Sequence, residues 1–200
     1  VTESSRPAND MMDRLNSLTA RVLIYTTVWS ALGVVIMALV ISTLYERAAE
    51  KGLRDLLRAQ LFSAINSVSI DASTHKLTGS PQMSELGFQQ PNSGWYWVVE
   101  PLGDYKTEPL TSLNYRGVEV PTLSAAEAPF NERFERYYAT TDSAGNRVRV
   151  AEAEITLEEE FPEEAEQDEV TPREPVTRIV RFRMIGNHQV VEEDVAYFNR

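Results

Sequence analysis

Residues 22–70 read VLIYTTVWSALGVVIMALVISTLYERAAEKGLRDLLRAQLFSAINSVSI. The first 24 of them, Val22 to Tyr45, carry no charge, while Arg21 precedes them and Glu46-Arg47 follow. As a helix this run is roughly 36 Å long at about 1.5 Å per residue, enough for a hydrocarbon core of about 30 Å. Tyr25 and Tyr45 lie near its ends, where amphipathic rings favour a membrane interface. A cleaved signal peptide has a shorter apolar core and a small-residue exit, and this run leaves through Leu44-Tyr45-Glu46-Arg47. The reading is a transmembrane helix over 22–45. No turn signal ends it. Leu53, Leu56, Leu57, Leu61, Ile65 and Val68 recur at spacings of three and four, with Arg54, Asp55 and Arg58 on the other face. One helix is therefore expected to leave the membrane and run to about Val68. Its apolar stripe packs on the sheet of its own domain, on a second copy of itself, or on both.

Charge separates what lies on the two sides. Residues 1–21 are neutral, with Arg6, Arg14 and Arg21 against Glu3, Asp10 and Asp13. The 16 basic and 27 acidic residues after Tyr45 hold the whole net charge of −11. A domain so acidic repels nucleic acid. Cations, basic peptides and other proteins are its expected partners. The chain has no cysteine, which excludes disulfides and thiolate metal sites.

Residues 71–94 are rich in Ser, Thr, Gly, Pro and Gln and read as loop. Trp95 to Glu100 is a strand ended by Pro101. Proline and glycine punctuate 102–130, leaving room for a short strand near Tyr115 to Val120. Phe134 to Thr140 and Arg147 to Leu157 form a hairpin about Thr141-Asp142-Ser143-Ala144-Gly145-Asn146. The apolar residues of the second strand change phase, with Val148 and Val150 on one face and Ala153, Ile155 and Leu157 on the other. A bulge near Glu152 or burial of both faces explains this. Val176 to Ile185 is a further strand, with Val180, Phe182 and Met184 on one face and Arg181 and Arg183 on the other. Gly186-Asn187 turns the chain, and a helix starts near Gln189 with Val191, Val195 and Phe198 on one face. The expected fold is α+β, with an antiparallel sheet of about five strands flanked by the N- and C-terminal helices.

Three groups of residues invite a functional reading. Residues 158–175 read as an acidic, proline-bearing loop. Glu158, Glu159, Glu160, Glu163, Glu164, Glu166, Asp168 and Glu169 are eight carboxylates within twelve residues. Glu158, Glu159, Glu160, Glu163 and Glu164 are the candidate ligands for Mg²⁺ or Ca²⁺, which prefer oxygen donors, or for a basic partner. A solvated loop with no ligand is the alternative. Trp95, Tyr96 and Trp97 alternate across a strand, so one side is core and the other is core, a ligand pocket or a protein interface. His75 and His188, the two histidines, are far apart in sequence and form no evident dyad. No nucleophile elbow, phosphate-binding glycine loop or dinucleotide fingerprint occurs, and no catalytic residue or bound cofactor is expected in these residues.

The segments SGWYW at 93–97, DSAGNRVRVAEAEI at 142–155, RIVRFRMIGN at 178–187 and DVAYFNR at 194–200, together with the leucines of the helix, give an order and spacing over most of 46–200. In these the chain resembles the extracytoplasmic sensor domain of alphaproteobacterial two-component histidine kinases with PhoQ-like sensors. The resemblance implies a PAS-like, or PDC, domain between two membrane spans. It puts residues 1–21 in the cytoplasm and 46–188 in the periplasm, anchored in the bacterial inner membrane. Residues 189–200 become an exit helix toward a second span past Arg200. It further implies a homodimer, a possible small periplasmic regulatory protein as partner, and a cytoplasmic kinase domain that uses ATP and serves a response regulator. At Thr107 to Leu113 the chain departs from the family, whose members carry a basic stretch there, so no signal-binding surface is carried over. The same input domain on a chemoreceptor or a cyclase, or a single-span anchored binding or assembly protein, are the competing readings.

Overall fold

In the computed structural model, which describes residues 18–81, 83, 86–160 and 176–189, the apolar run and the leucine stripe belong to one helix, α1, Leu18–Ile65. The chain divides into two units at Arg47 and Ala48.

In the first unit the large apolar side chains of α1 from Leu18 to Leu44 are all exposed. Apolar surface all round a helix requires an apolar surrounding. Among the described residues, α1 is the one helix long and apolar enough to cross a membrane. Three of its threonine hydroxyls are satisfied within the helix. Thr26 donates to the Val22 and Leu23 carbonyls at 3.0 Å, Thr27 to Leu23 at 2.7 Å and Thr43 to Val40 at 2.9 Å. Such back-bonds remove the cost of an unpaired polar group in hydrocarbon.

The second unit is a mixed sheet with a different cover on each face. Its strands are β1 (Val68–Asp71), β2 (Lys76–Gly79), β3 (Tyr96–Pro101), β4 (Leu110–Thr111), β5 (Glu135–Thr141), β6 (Arg147–Glu160) and β7 (Thr177–Asn187). The order β4-β3-β7-β6-β5 is antiparallel throughout. Beyond the end of β5, β1 pairs in parallel with Glu159 and Glu160 of β6, and β2 pairs antiparallel outside β1. Leu53, Leu57, Leu61 and Ala64 of α1 cover one face, packing with Val99, Ala151, Ala153, Val180, Phe182 and Met184. The other face, with Tyr96, Val98, Val148, Val150 and Ile185, is covered by the connection between β4 and β5 through Val118, Val120 and Ala128. A short 3₁₀ turn, Leu113–Tyr115, lies in that connection.

Several expectations hold: the hairpin, the strands after Gly94 and Val176, and the opposite placement of Phe182 and Arg183. The phase change in β6 is burial of both faces. Its pairing with β5 and β7 runs in register past Glu152, so no bulge exists there.

Other expectations are corrected. Asn66 N–H makes the last helical bond, to Phe62 at 3.1 Å, and α1 then stops where Ser67 turns back to Ala64, its N–H at 3.1 Å and its hydroxyl at 2.9 Å from that carbonyl. Val68 then begins β1, and the loop read over 71–94 contains the rest of a β1–β2 hairpin. Pro101 closes β3 from within, and 116–120 form no strand. Among the described residues the sheet has seven strands and one parallel pairing, where about five strands, all antiparallel, were expected. Glu158, Glu159 and Glu160, read as the start of an acidic loop, belong to β6, and the rest of that stretch, 161–175, lies outside the described residues. Gly186 and Asn187 do not turn the chain; they complete β7. A glycine suits position 186 for lack of room: a Cβ would lie 2.9 Å from Leu57 Cδ2 and 3.0 Å from Trp95 Cζ3. The exit helix, apart from Gln189, lies outside the described residues.

Candidate functional site

Cross-strand register builds a charge ladder on the sheet face away from α1. Arg136 of β5, Glu152 of β6 and Arg183 of β7 are direct neighbours, and Glu154 pairs with Arg181 one step along. Burial there demands full pairing. Glu152, fully buried, accepts from Arg136 Nε at 3.0 Å, Arg136 Nη2 at 2.7 Å and the Tyr138 hydroxyl at 2.9 Å. Arg181 Nε stands 3.1 Å from its first oxygen, while Arg183 Nε, 3.9 Å from its second, makes no hydrogen bond. Burial pushes the Tyr138 phenol up to about 12, so it keeps the proton that it donates. Arg136 Nη1 and Arg183 Nη2 reach out of the sheet to the carbonyls of Ala128 and Val120, at 3.1 and 2.8 Å. One carboxylate thereby holds three strands and the covering connection together.

Arg136 is also a wall of a cleft of about 540 Å³ between the domain part of α1 and the segment leading into β5. Helical spacing puts Arg54, Arg58 and Leu61 on one side of it; Pro129, Asn131 and Arg133 lie on the other. Leu61, Tyr137 and Ala151 give it an apolar floor. Arg58, 42% exposed, pairs with Glu135 at 3.1 Å. The Arg54 guanidinium lies 4.6 Å from the centre of the Tyr137 ring. Burial raises the Tyr137 pKa against the lowering effect of Arg149 and Arg54. Glu132 and Glu135 also line the cleft, so guanidinium and carboxylate groups stand together above an apolar floor.

The sequence candidates fall elsewhere. Glu159 is not in a loop: its buried carboxylate receives Arg178 Nε at 3.0 Å and His75 Nδ1 at 2.9 Å. These bonds tie the β1–β2 turn to the ends of β6 and β7. That turn is shaped by Asp71, which accepts from the Thr74 backbone at 3.0 Å, and by His75 at φ 52°. Among the described residues no group of three or more His, Asp or Glu is arranged for a metal ion. Glu163 and Glu164, with Glu166, Asp168 and Glu169, lie outside the described residues. Trp95 and Trp97 pack against the core under α1, and Tyr96 is fully buried on the opposite face. Its hydroxyl donates to Asp142 at 3.3 Å. His188 sits at the Arg147 end of β6, donating its backbone N–H to the Arg147 carbonyl, while His75 sits at the Glu159 end.

Glu159 has a measurable consequence. Burial works to raise its pKa, but the bonds from Arg178 and His75 prevail and hold it below the ordinary 4.5. A carboxylate with a depressed folded pKa stabilises fully above its unfolded value and loses that contribution as pH falls through the folded one. Glu159→Gln is expected to lower stability at pH 7 and to flatten the fall below about pH 4.5. Thermal melts of the two proteins from pH 7 down to pH 3 check this.

Sequence reading missed the cleft. Arg54 and Arg58 had read as the polar face of the stripe, and no reading was made of Arg133 or Arg136. Only tertiary packing brings them to one cleft. No family model, no curated protein and no solved structure matches this chain.

Proposed function

We propose that this chain is the signal-input region of a membrane sensor histidine kinase. In this reading α1 crosses the bacterial inner membrane, residues 1–21 lie in the cytoplasm, and the second unit is a PAS-like sensor domain in the periplasm. The observation that carries it is α1 itself. One helix supplies both a membrane-length apolar run without charge and the leucine face on which the sheet is built. The antiparallel core of five strands with a helix across one face also supports a PAS-like domain. A periplasmic ligand, cation or small protein acts by favouring one of two arrangements of a homodimer. A small displacement of α1 then carries the signal inward as a piston, tilt or rotation. ATP-dependent phosphorylation and transfer to a response regulator rest on the family resemblance.

The test is a helix-phase experiment. Residues 1–200 are placed ahead of a second span and a histidine kinase module with a transcriptional reporter. One to four alanines are inserted between Arg47 and Ala48, each turning the helix by about 100°. Transmission through α1 predicts an output that varies with insert length and recovers near four residues. Output indifferent to every insertion, or abolished equally by all four, contradicts the reading.

A further inference from the structure

We propose that the open edge of β5 takes an extended, uncharged segment of another protein as an added strand. Among the described residues β5 pairs with β6 alone. The bonds from the Glu154 N–H to the Phe134 carbonyl and from the Asp142 N–H to the Asn146 carbonyl fix which residues face β6. Antiparallel pairs alternate, so Arg136, Tyr138 and Thr140 give their backbone groups to β6, while Glu135, Tyr137, Ala139 and Thr141 turn theirs outward. Asn131 closes the first of these. Its N–H reaches the Glu135 carbonyl at 2.8 Å, and its side-chain oxygen accepts the Glu135 N–H at 3.0 Å. The outward groups of Tyr137, Ala139 and Thr141 have no backbone partner among the described residues. From Tyr137 to Thr141 they offer donors and acceptors over about 13 Å.

Proteins guard open strands with brevity, lysine, proline or a bulge. β4 is two residues long, and β2 has four, beginning at Lys76 and ending at Gly79. β5 has seven and runs in unbroken register with β6. Between Arg136 and Asp142 it carries no charge, and Ala139 and Thr141 are exposed. The same features choose the occupant. A strand lying here sets its central residues against Tyr137, Ala139 and Thr141. Charged groups find no opposite charge there, and β-branched or aromatic residues pair best. Its alternate side chains have two places to enter, the cleft beside Tyr137 and a hollow of about 280 Å³ bordered by Ala139 and Thr141. A second copy of this chain does not fit. α1 follows the strands, with Glu50 meeting Arg149 and Arg58 meeting Glu135. β5 paired antiparallel with its own copy sets the two α1 helices in opposite directions, which a span through one membrane forbids. That exclusion rests on the sensor reading; the open edge does not. An added strand also lies beside Arg54 of α1, which rests on the Tyr137 ring, so it bears on how the helix seats.

The experiment uses the full chain in lipid nanodiscs. The probe is a short peptide of alternating threonine and valine, kept soluble by a neutral polyethylene glycol tail. Calorimetry reads its affinity, and hydrogen exchange resolved to single amides reads its place. Without peptide, the amides of Tyr137, Ala139 and Thr141 are expected to exchange fast and those of Tyr138 and Thr140 slowly. Saturating peptide is expected to slow the first three by about tenfold or more. The same peptide N-methylated at successive central residues, which blocks both of its edges, is expected to lose about tenfold or more in affinity. Ala139→Pro removes an outward N–H and no bond to β6, and is expected to weaken binding as much with little change in melting midpoint. Ala139→Lys keeps every backbone bond, sets a charge on the edge, and is expected to weaken binding too. The proposal is overturned if the three outward amides are already slow without peptide, as an edge filled by this chain or a second copy requires. It is also overturned if the peptide gives no heat of binding, or if its N-methylated form or the Ala139→Lys protein binds as the parent pair does. Peptide binding without any change in reporter output would leave the edge standing and count against the sensor reading alone.

Discussion

Replacing Glu152 by alanine is expected to destabilise the domain by about 3–5 kcal/mol, the cost of removing one partner from a buried ion pair. The arithmetic is set by what remains. Arg136 and Arg183, each with a side chain 2% exposed, keep their charge and lose the carboxylate between them. Tyr138 loses its acceptor as well. Arg183 keeps the partly exposed Glu100 at 3.7 Å, but Arg136 is left with the Ala128 carbonyl, which cannot neutralise it. Urea unfolding of the parent and the variant measures the difference. The double change Arg136→Met/Glu152→Leu removes both charges of the closest pair and is expected to recover part of the loss, because apolar replacements often match a buried ion pair in stability. A loss below about 1 kcal/mol for Glu152→Ala would mean that the network is open to solvent.

Leu57→Ala is the second large effect, at about 2–5 kcal/mol. Leu57 is fully buried at the centre of the α1 face, against the site where Gly186 lets the helix approach the sheet. Its neighbour Leu56, about 100° round the helix, is 38% exposed. Leu56→Ala removes the same atoms and is expected to cost under about 1 kcal/mol, since little apolar surface leaves the interior. The contrast between adjacent leucines reads directly which face of α1 holds the sheet. Equal losses at both positions would mean that the outer face is also buried, as in a helix paired with a second copy.

Much of the fold was legible because its signals are periodic. The apolar run, the leucine stripe, the β5–β6 hairpin and the alternation of Phe182 with Arg183 each express a local rule. The β1–β2 hairpin was not legible for a physical reason. Val68 continues the spacing of Leu61 and Ile65, so the helical period runs on through a residue that is already strand, and only the bonds of Ser67 back to Ala64 end it. β6 was cut short at Leu157 because glutamates 158–160 read as solvated loop. Their strand conformation is supported from outside, by β1 on one edge and by Arg178 and His75 on Glu159. The charge network was half legible. Alternation put Arg181 and Arg183 opposite the core, and that face reads as solvent until the connection between β4 and β5 is seen to cover it. The cleft could not be read at all, because Arg54 and Arg133 meet only through tertiary packing.

The membrane topology is the part on which every functional statement depends, and the absence of cysteine makes it directly measurable. Single cysteines placed at Ser5 and at Ala144, the latter exposed in the β5–β6 turn, are probed in intact spheroplasts with a maleimide that cannot cross the membrane. Ala144→Cys is predicted to be labelled before lysis and Ser5→Cys only after it. Labelling in the reverse order, or recovery of the full-length chain in the soluble fraction without detergent, would contradict a sensor domain held outside the cytoplasm by α1.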